Sequence, residues 1–413
     1  MSATELDHPR QDFAASPPAQ QPVWPDPDAL RRVLAHLSAA PPLTRPAESD
    51  ALRERLAAVA RGEAFLVQGG DCAETFADSG RPERVRGKLD TLARMAGVLT
   101  AAGAPPVVTV GRIAGQYAKP RSQPTETRDG VSLPSYRGDA VNGLDFTAEA
   151  RTPDPERLKS AYHAAAATLR LIRSLTSADG GAPAAEGHRP AAGPREFFTS
   201  HEALLLGYEE ALTRPDPRTG RPYGQSGHML WIGERTRHPD GAHVAFAARV
   251  GNPIGVKLGP TATADEVLAL IDRLDPDRTP GRLTLITRMG AERIRDALPV
   301  LVEKVTASGA QVAWVCDPMH GNTFPAPTGH KTRAYETVLE EIRGFVEVHR
   351  ALGTHPGGVH LEFTGEEVTE CVGGPGGPGL ADVPRRYESA CDPRLNRAQA
   401  VELSREVAGL LRS

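Results

Sequence analysis

The stretch VAWVCDPMHGNT, at residues 312–323, decides the fold class of the chain. A run of apolar and β-branched residues ends there abruptly in Cys316, Asp317 and His320. This pattern is typical of a buried parallel strand that delivers polar side chains at its carboxyl end. A histidine in that position is a candidate metal ligand, although a lone histidine is more often a hydrogen-bonded core or surface residue. The role of His320 therefore depends on what other strand ends supply.

Seven further runs of this kind lie along the chain, and helical patterns separate most of them. The eight predicted strands are 64–72, 106–112, 195–203, 228–236, 253–259, 282–290, 311–321 and 358–366. Helical spacing is found at 83–101, 155–175, 202–212, 264–274, 291–307 and 335–352. This alternation predicts an α/β fold, a (β/α)8 TIM barrel with functional residues at the strand carboxyl ends. A doubly wound sheet is the alternative, but no glycine-rich fingerprint follows the first strand.

The rest of the chain is predicted to extend this barrel. Residues 1–27 are rich in Pro, Ala and Gln without a period and are predicted to form a flexible tail. Residues 28–413 are predicted to form a single catalytic domain, which begins with two helices over residues 28–60. The long connection at 116–154 should place extra elements over the barrel mouth. Residues 177–194 have the composition of a flexible, low-complexity linker.

Composition excludes several classes of protein. The 48 basic and 52 acidic residues give a net charge of −4, so nucleic acid and anionic membranes are not expected partners. No apolar run approaches the length of a membrane span, and the polar N-terminus lacks a secretory signal, so a cytoplasmic protein is expected. Four cysteines without a CxxC pair argue against a disulfide scaffold or a zinc finger.

Several predicted strand ends carry side chains that could bind one metal ion. The first strand ends in Asp71 and Cys72, the seventh at His320 and the eighth at Glu362, and Asp392 follows in a later loop. These strand ends lie on one face of a parallel barrel. Thiolate, imidazole and carboxylate ligands together suit Mn²⁺, Co²⁺, Fe²⁺ or Zn²⁺. A mixed-ligand metal site that includes His320 is therefore predicted.

Cationic side chains occur at the same strand ends and in the long loop. Each alone would be read as a solvated surface charge or an ion-pair partner. Together, in a chain of nearly balanced charge, they predict a focused site for carboxylate and phosphate groups. A metal ion beside such a site suggests that a carbonyl is polarised while phosphates are held. The cations are Arg112, Lys119, Arg121, Arg235, Lys257 and Arg288, with Glu234 beside Arg235.

The motifs that carry these residues resemble those of one family. GGDCAE, VGRIAGQYAKPRS, LPSYRGD, HMLWIGERTR, GNPIGVKLGP, TRMG, CDPMHGNT and YESACDPRLN, in this order, are similar to class II (plant and microbial type) 3-deoxy-D-arabino-heptulosonate 7-phosphate (DAHP) synthases. The likeness extends from about residue 28 to residue 411. It implies a TIM barrel and the metal-dependent condensation of phosphoenolpyruvate with D-erythrose 4-phosphate and water. The implied products are DAHP and phosphate, in the first step of the shikimate pathway.

The resemblance also implies roles residue by residue. The implied metal ligands are Cys72, His320, Glu362 and Asp392, with Mn²⁺ or Co²⁺ as the expected ion and Zn²⁺ or Fe²⁺ as alternatives. The implied substrate-binding residues are Arg112, Lys119, Arg121, Ser122, Glu234, Arg235, Lys257 and Arg288. The implied catalytic residues are Arg112, Lys119 and Glu234. Within the substrate set, Lys119, Arg121 and Ser122 match the erythrose 4-phosphate side, and the others match the phosphoenolpyruvate side.

Other readings remain open at this point. The same fold could use an imino-erythrose phosphate and make amino-DAHP, since the two acceptors differ by one heteroatom. A catalytically silent regulatory homologue is the alternative from another class, and the full ligand and cation sets argue against it. The low-complexity segment 177–194 and the short N-terminal extension depart from the family pattern. They place feedback inhibition by aromatic amino acids in doubt and leave open whether the enzyme serves primary or secondary metabolism. A homodimer or larger homo-oligomer is expected.

Two cysteines are predicted to lie near the metal site. Cys391 adjoins Asp392, so it should approach Cys72 if both side chains converge on the metal. Oxidation could then join the two sulfur atoms, expel the metal and inactivate the enzyme. An inert buried thiol is the alternative interpretation. Cys316 and Cys371 are read as small buried hydrophobic residues.

Overall fold

The computed structural model describes residues 18–177 and 196–412 of the chain. The predictions for residues 1–17 and 178–194 lie outside the described residues. Within them, eight parallel strands form a closed barrel, in which each strand pairs with its neighbours in the sequence and the eighth pairs with the first. The predicted TIM barrel is confirmed.

The strands of the barrel are short and lie inside the runs predicted for them. They are β1 Phe65–Gly70, β2 Val107–Arg112, β3 Phe198–Glu202, β4 Met229–Ile232, β5 Ile254–Leu258, β6 Leu283–Thr287, β7 Ala313–Cys316 and β8 Gly358–Glu362. Arg112, Lys257 and Glu362 lie at or next to the carboxyl ends of the paired strands themselves, whereas the polar residues that follow the other strands lie in the loops at the barrel mouth.

Helices surround the barrel and cover its floor. In the described part of the chain they are α1 Pro27–Ala39, α2 Pro46–Ala60, α3 Phe76–Ser79, α4 Pro82–Ala101, α5 Ala148–Arg151, α6 Glu156–Thr176, α7 Leu206–Ala211, α8 Ala242–Arg249, α9 Ala264–Leu274, α10 Ile294–Ala307, α11 Tyr335–Ala351 and α12 Arg397–Arg412. A 3₁₀ helix spans Leu380–Arg386. None of the described helices is both long and apolar enough to cross a bilayer.

The helix predicted at 202–212 is wrong at its start. Glu202 is the last residue of β3, and α7 begins only at Leu206. Helices α8 and α12 lack a counterpart among the predicted elements. The buried stripe of α12 includes Gln399 and Ser404, which interrupt the apolar spacing. Helix α8 is only eight residues long, which is too short for a clear helical period.

The alternation of side chains along the strands separates the barrel interior from the helix layer. Leu66 packs in the interior with residues of α2 such as Leu56, whereas its neighbour Val67 packs outward against the helix layer. This is the two-residue period expected of a strand. Helix α2 therefore closes the floor of the barrel and leaves the mouth as its open end.

The connection after β2 carries the extra elements predicted for it. A hairpin of Thr125–Arg128 and Val131–Pro134 is followed by helix α5. Arg151, which is fully buried, bridges Glu126 at 3.2 Å and the backbone oxygen atoms of Pro134 and Leu144 at 3.2 and 3.0 Å. The buried side chain of Arg151 thus stabilises the loop that carries Lys119 and Arg121. Two further hairpins pair Thr213–Pro215 with Pro222–Gly224 and Phe324–Pro325 with Lys331–Thr332.

The first described residues dock against loops at the mouth. The Gln20 side-chain oxygen accepts the Arg121 backbone N–H at 2.9 Å. Gln21 donates to the Leu204 carbonyl at 2.7 Å and accepts the Leu206 backbone N–H at 3.3 Å. The segment before α1 therefore contacts the loops after both β2 and β3.

Candidate active site

A cavity of about 240 Å³ lies at the carboxyl ends of the barrel strands. All eight residues predicted to bind substrate line it, together with the predicted metal ligands His320 and Asp392. The structure therefore brings into one cavity side chains from distant parts of the sequence. Residues lining it that were not predicted from the sequence are Gln116, Pro120, Glu202, Trp231, Gly233, Thr323, Lys331 and Arg333.

Three of the four predicted metal ligands form one group. One ligand atom each from His320, Glu362 and Asp392 lies within 4.8 Å of the other two. The Nε2 atom of His320 is 3.0 Å from Oε1 of Glu362. Glu362 ends β8, whereas His320 and Asp392 come from the loops after β7 and β8.

The orientation of His320 suits a ligand. Its Nδ1 atom lies 2.7 Å from Oδ2 of the fully buried Asp317, which also pairs with Lys257. A hydrogen bond from Nδ1–H to this carboxylate leaves Nε2 as the free nitrogen on the side of Glu362. Metal-binding histidines are commonly held by a carboxylate in this way. Asp317 therefore serves as support for His320.

The fourth predicted ligand, Cys72, lies beside this group but is not one of the three clustered residues. Its buried sulfur accepts the Asp392 backbone N–H at 3.3 Å and contacts the Ser389 hydroxyl at 3.3 Å. Burial opposes ionisation of the thiol, but the Cys391 thiol and the Lys119 ammonium lower the pKa of Cys72 to about 6. Both cysteines are free. Their oxidation to a disulfide stays a prediction.

Cations surround the two carboxylates of the group. Lys119 Nζ lies 2.8 Å from Oδ2 of Asp392 and 3.4 Å from Oε1 of Glu362. Lys331 lies 2.9 Å from Asp392, and Arg333 lies 2.8 Å from Oε2 of Glu362. Burial would raise the pKa of Glu362, but His320, Lys119 and Arg333 hold it well below its usual range. Both carboxyls are therefore ionised, as metal ligands must be.

These residues fit a divalent metal ion. The group combines an imidazole with two ionised carboxylates, and a thiol with a lowered pKa lies next to it. In addition, Oε2 of Glu362 is buried and accepts no hydrogen bond, although it forms an ion pair with Arg333 at 2.8 Å. Such a donor set suits Mn²⁺, Co²⁺, Fe²⁺ and Zn²⁺ alike, so it does not select one ion.

Asp71, a candidate ligand on sequence grounds, lies outside the group. It pairs with Lys88 and, at 2.6 Å, with Arg394, and all three side chains are buried. Arg394 also pairs with the buried Glu370 at 2.7 Å. Asp71 thus anchors the loop that carries Asp392, and its carboxylate is not available to a metal ion.

Arg112 is held largely by neutral acceptors. It donates to the backbone oxygen atoms of Asp71 and Cys72 at 3.1 Å each, and its Nη1 atom lies 2.7 Å from Nε2 of His360. The pKa of His360 is held well below its usual range by burial and by the positive charges of Lys257 and Arg112, so the imidazole ring is neutral. Its Nδ1 atom lies 2.8 Å from the Gln68 side-chain oxygen, which fixes the Nδ1–H tautomer and leaves Nε2 as acceptor. Arg112 also contacts a charged group, because its Nη2 atom lies 3.1 Å from Oε1 of Glu362.

Trp231 lies beside the cations deep in the cavity. The guanidinium of Arg112 is 5.1 Å from its ring centroid, and the ammonium of Lys257 is 5.8 Å from the same centroid. Cations at such distances are attracted by the ring. Trp231 is an inward-facing residue of β4. It lies in the motif HMLWIGERTR, but nothing in that motif predicted that its ring would contact the two cations.

The neighbouring residues Glu234 and Arg235 are placed differently. Oε2 of Glu234 accepts from Arg237 Nε at 3.0 Å and from the Gly259 backbone N–H at 2.6 Å, and Oε1 accepts from Arg237 Nη2 at 3.0 Å. Arg237 was not predicted. Arg235 is exposed and has no ion-pair partner among the described residues. One cation at the mouth therefore remains available to an anionic ligand.

Glu202 is the carboxyl that sequence reasoning missed. It ends β3 and lines the cavity, and its buried Oε1 atom has no hydrogen-bond partner. Burial raises its pKa above the usual value, against the effect of nearby Lys119 and Lys257. The predicted strand 195–203 already contained Glu202 near its end, but the predicted helix 202–212 contained it too, and the residue was not named as a candidate for the site.

Comparison with known proteins identifies one family. Residues 8–190 and 182–408 match the sequence profile described as Class-II DAHP synthetase family. A phospho-2-dehydro-3-deoxyheptonate aldolase of Streptomyces coelicolor is 57% identical over 432 aligned positions, which cover 96% of this chain and 96% of that protein. The phospho-2-dehydro-3-deoxyheptonate aldolase AroG of Mycolicibacterium smegmatis is 49% identical over 444 positions, which cover 98% and 95%.

Similarity to solved structures is weaker. A phospho-2-dehydro-3-deoxyheptonate aldolase (DAHP synthase) of Thermotoga maritima is 14% identical, covers 85% of this chain and 70% of that one, and gives a TM-score of 0.39. The barrel assignment therefore rests on the strand pairing of this chain itself.

Proposed function

Because the chain belongs to the class II DAHP synthetase family, we propose that its cavity is the site where phosphoenolpyruvate condenses with D-erythrose 4-phosphate and water to give DAHP and phosphate. The protein is a DAHP synthase, which catalyses the first step of the shikimate pathway. The observation that carries the site assignment is the convergence of a cation set and a His–Glu–Asp group in one cavity. The alternatives of an amino-DAHP synthase and a silent regulatory homologue gain no support from the relatives.

Phosphoenolpyruvate carries a carboxylate and a phosphate, so it needs several cations. Arg112, Arg235, Lys257 and Arg288 would supply them. The exposed Arg235 has no ion-pair partner in the described part of the chain, and the side chain of Arg288 donates to a backbone carbonyl, that of His320. These two cations are therefore not neutralised by carboxylates. Forked guanidinium groups suit both anionic groups of this substrate.

Erythrose 4-phosphate would lie on the side of the loop after β2. Lys119, Arg121 and Ser122 line the cavity there. Lys119 also contacts both carboxylates of the candidate metal group, so this loop is next to the position where an aldehyde would approach the metal.

A divalent metal held by Cys72, His320, Glu362 and Asp392 would polarise the aldehyde carbonyl. The carbon–carbon bond then forms between C3 of phosphoenolpyruvate and the aldehyde carbon, whose oxygen takes a proton. Water adds at C2 and gives up the proton that this oxygen takes. The C2–O bond to phosphate then breaks as the new C2 hydroxyl loses its proton and becomes the ketone of DAHP. Oε1 of Glu234 accepts one hydrogen bond in the structure and so keeps capacity to orient this water. Lys119 and Arg112 lie beside the group and would stabilise the negative charge that develops.

The proposal predicts that metal removal abolishes turnover. Protein treated with EDTA should release no phosphate from the two substrates together, and Mn²⁺ or Co²⁺ should restore release. His320→Ala should weaken metal binding by at least about 100-fold, because loss of even a supporting residue commonly costs 10- to 100-fold. Phosphate release and calorimetric metal titration measure these effects.

Omission of either substrate is the control for phosphate release. Full turnover of EDTA-treated protein without added metal would contradict the role given to the metal. Unchanged metal affinity in the His320→Ala variant would contradict the ligand assignment.

A further inference from the structure

A buried carboxylate outside the barrel wall joins two loops of the active site. Glu341 lies on α11 and is fully buried. Its Oε1 atom accepts the backbone N–H groups of Met289 and Gly290 at 2.8 and 2.9 Å, in the loop after β6. Its Oε2 atom accepts the Asn322 side-chain N–H at 2.6 Å, in the loop after β7. One carboxyl therefore binds both loops.

Asn322 extends this connection. Its side-chain oxygen accepts the Ala291 backbone N–H at 3.1 Å, and its nitrogen also donates to the Pro318 carbonyl at 2.7 Å. The two loops are in direct contact, because a Cβ on Gly321 would lie 2.5 Å from the Gly290 nitrogen. The position of one loop relative to the other is therefore fixed by these hydrogen bonds and by the close approach of Gly321 to Gly290.

The two joined loops carry residues of both parts of the active site. The loop after β6 holds Arg288, a cation of the phosphoenolpyruvate side, and the loop after β7 holds His320, a candidate metal ligand. The side chain of Arg288 donates to the His320 carbonyl at 2.9 Å. A shift of one loop relative to the other would therefore displace both functional groups.

The contacts of Glu341 require an ionised carboxyl. The three groups that face its oxygen atoms are all N–H donors, and a protonated oxygen would lack an acceptor. Burial raises the pKa of Glu341 to about 8, while the Gly290 N–H opposes this shift and nearby Asp317 adds to it. The parent and all variants are titrated at one pH near 8, where the ammonium of Lys257 still carries part of its charge.

We propose that Glu341 is a positioning residue that holds Arg288 and His320 in one register from outside the barrel. It touches neither substrate nor metal and acts through the two loops. This inference rests on the proposed function, since it uses the roles assigned there to Arg288 and His320.

The test is a Glu341→Gln substitution. A glutamine offers one acceptor and one donor, so whichever way its amide is turned, an N–H group of Met289, Gly290 or Asn322 faces another N–H. We expect binding of both phosphoenolpyruvate and Mn²⁺ to weaken about tenfold each, as for loss of one charge-assisted hydrogen bond. Each ligand is titrated alone by calorimetry, so the readout does not depend on turnover.

The matched control is Glu340→Gln on the same helix. Glu340 is partly exposed and pairs with Arg295 and Arg343, away from both loops. This variant should bind both ligands as the parent does. Asn322→Ala serves as a second variant if Glu341→Gln does not fold, and it should weaken Mn²⁺ and phosphoenolpyruvate binding in the same manner.

The outcomes separate this inference from the proposed function. A folded Glu341→Gln variant with a lower Tm and unchanged binding of both ligands would show a merely structural role and overturn the inference. If that variant does not fold, unchanged binding by Asn322→Ala has the same meaning. Normal phosphoenolpyruvate binding by Arg288→Ala, or normal Mn²⁺ binding by His320→Ala, would instead contradict the proposed function.

Discussion

Lys257 links the charge of the cavity to pH. Burial lowers the pKa of its ammonium to about 8, although the partner Asp317 acts in the opposite direction. Below that pH the side chain is charged, and above it the side chain becomes neutral. We expect phosphoenolpyruvate to bind at least about tenfold more weakly at about pH 9 than at about pH 7, because a hydrogen bond to a charged group is lost. Calorimetric titration at each pH measures this change.

Lys257→Arg is the control for that pH dependence. Arginine keeps its charge over this range, so the variant should show a flatter profile. A parent and a variant whose affinities fall equally with pH would assign the effect to another group.

Single residues differ in how far the sequence could predict them. His320 and Glu362 could be predicted as neighbours because they lie at the ends of two apolar strands, and parallel strands end on one face. Asp392 follows no strand directly and was named from the loop after the eighth strand. Asp71 follows the same rule, but Lys88 and Arg394 pair with it. Lys88 lies on a helix and Arg394 in a distant loop, so the position of Asp71 at a strand end could not predict these ion pairs. Arg333 and Lys331 were missed for a similar reason. Lys331 lies in a short hairpin and Arg333 directly follows it, and in the sequence this hairpin is well separated from the end of any barrel strand.

The elements of the barrel were more predictable than their boundaries. Strand positions follow from apolar runs, because the barrel strands are buried almost throughout. Glu202 shows the limit, because a strand end and a helix start have the same local composition when apolar residues follow. The predicted strand 195–203 and the predicted helix 202–212 both included Glu202, and the pairing of β3 with β4 places it in the strand.

The loop that carries Asp392 should be sensitive to one buried ion cluster. Arg394 pairs with both Asp71 and Glu370, so Arg394→Met leaves two buried carboxylates without this partner. Breaking a buried pair in this way costs about 3–5 kcal/mol of unfolding free energy. We expect that loss in chemical denaturation, together with weaker metal binding, because Asp392 lies two residues away.

Arg385→Met is the comparison for this loop. Arg385 is exposed and pairs with Asp382, so its loss should change stability by no more than about 1 kcal/mol. Equal stability of the two variants would show that the buried cluster does not anchor the loop.

Across the whole chain, function depends on contacts between segments far apart in the sequence. The net charge of the chain is −4, but its cavity is lined by cations from the ends of the second, fourth, fifth and sixth strands. The carboxylates of the metal group are neutralised locally by Lys119, Lys331 and Arg333, so the remaining cations can serve the substrates. Homo-oligomeric assembly and a cytoplasmic location stay predictions, and feedback inhibition by aromatic amino acids stays open.

The start of the described chain should contribute to erythrose 4-phosphate binding. Gln20 accepts the Arg121 backbone N–H, and its own carbonyl accepts from the Arg137 side chain at 3.1 Å. Gln20→Ala removes only the first of these contacts and frees the loop that carries Lys119 and Arg121. We expect the KM for erythrose 4-phosphate to rise about 2- to 10-fold, the effect of one hydrogen bond, with little change in metal affinity.

Gln21→Ala provides the matched comparison at the adjacent position. Gln21 contacts Leu204 and Leu206 after β3 and has no contact with the loop after β2 among those described. Because the two glutamines hold different loops, only Gln20→Ala should raise this KM, and steady-state kinetics with varied erythrose 4-phosphate measures it. An equal rise in both variants would mean that the segment stabilises the mouth as a unit, and no rise in either would mean that Arg121 is held in place without it.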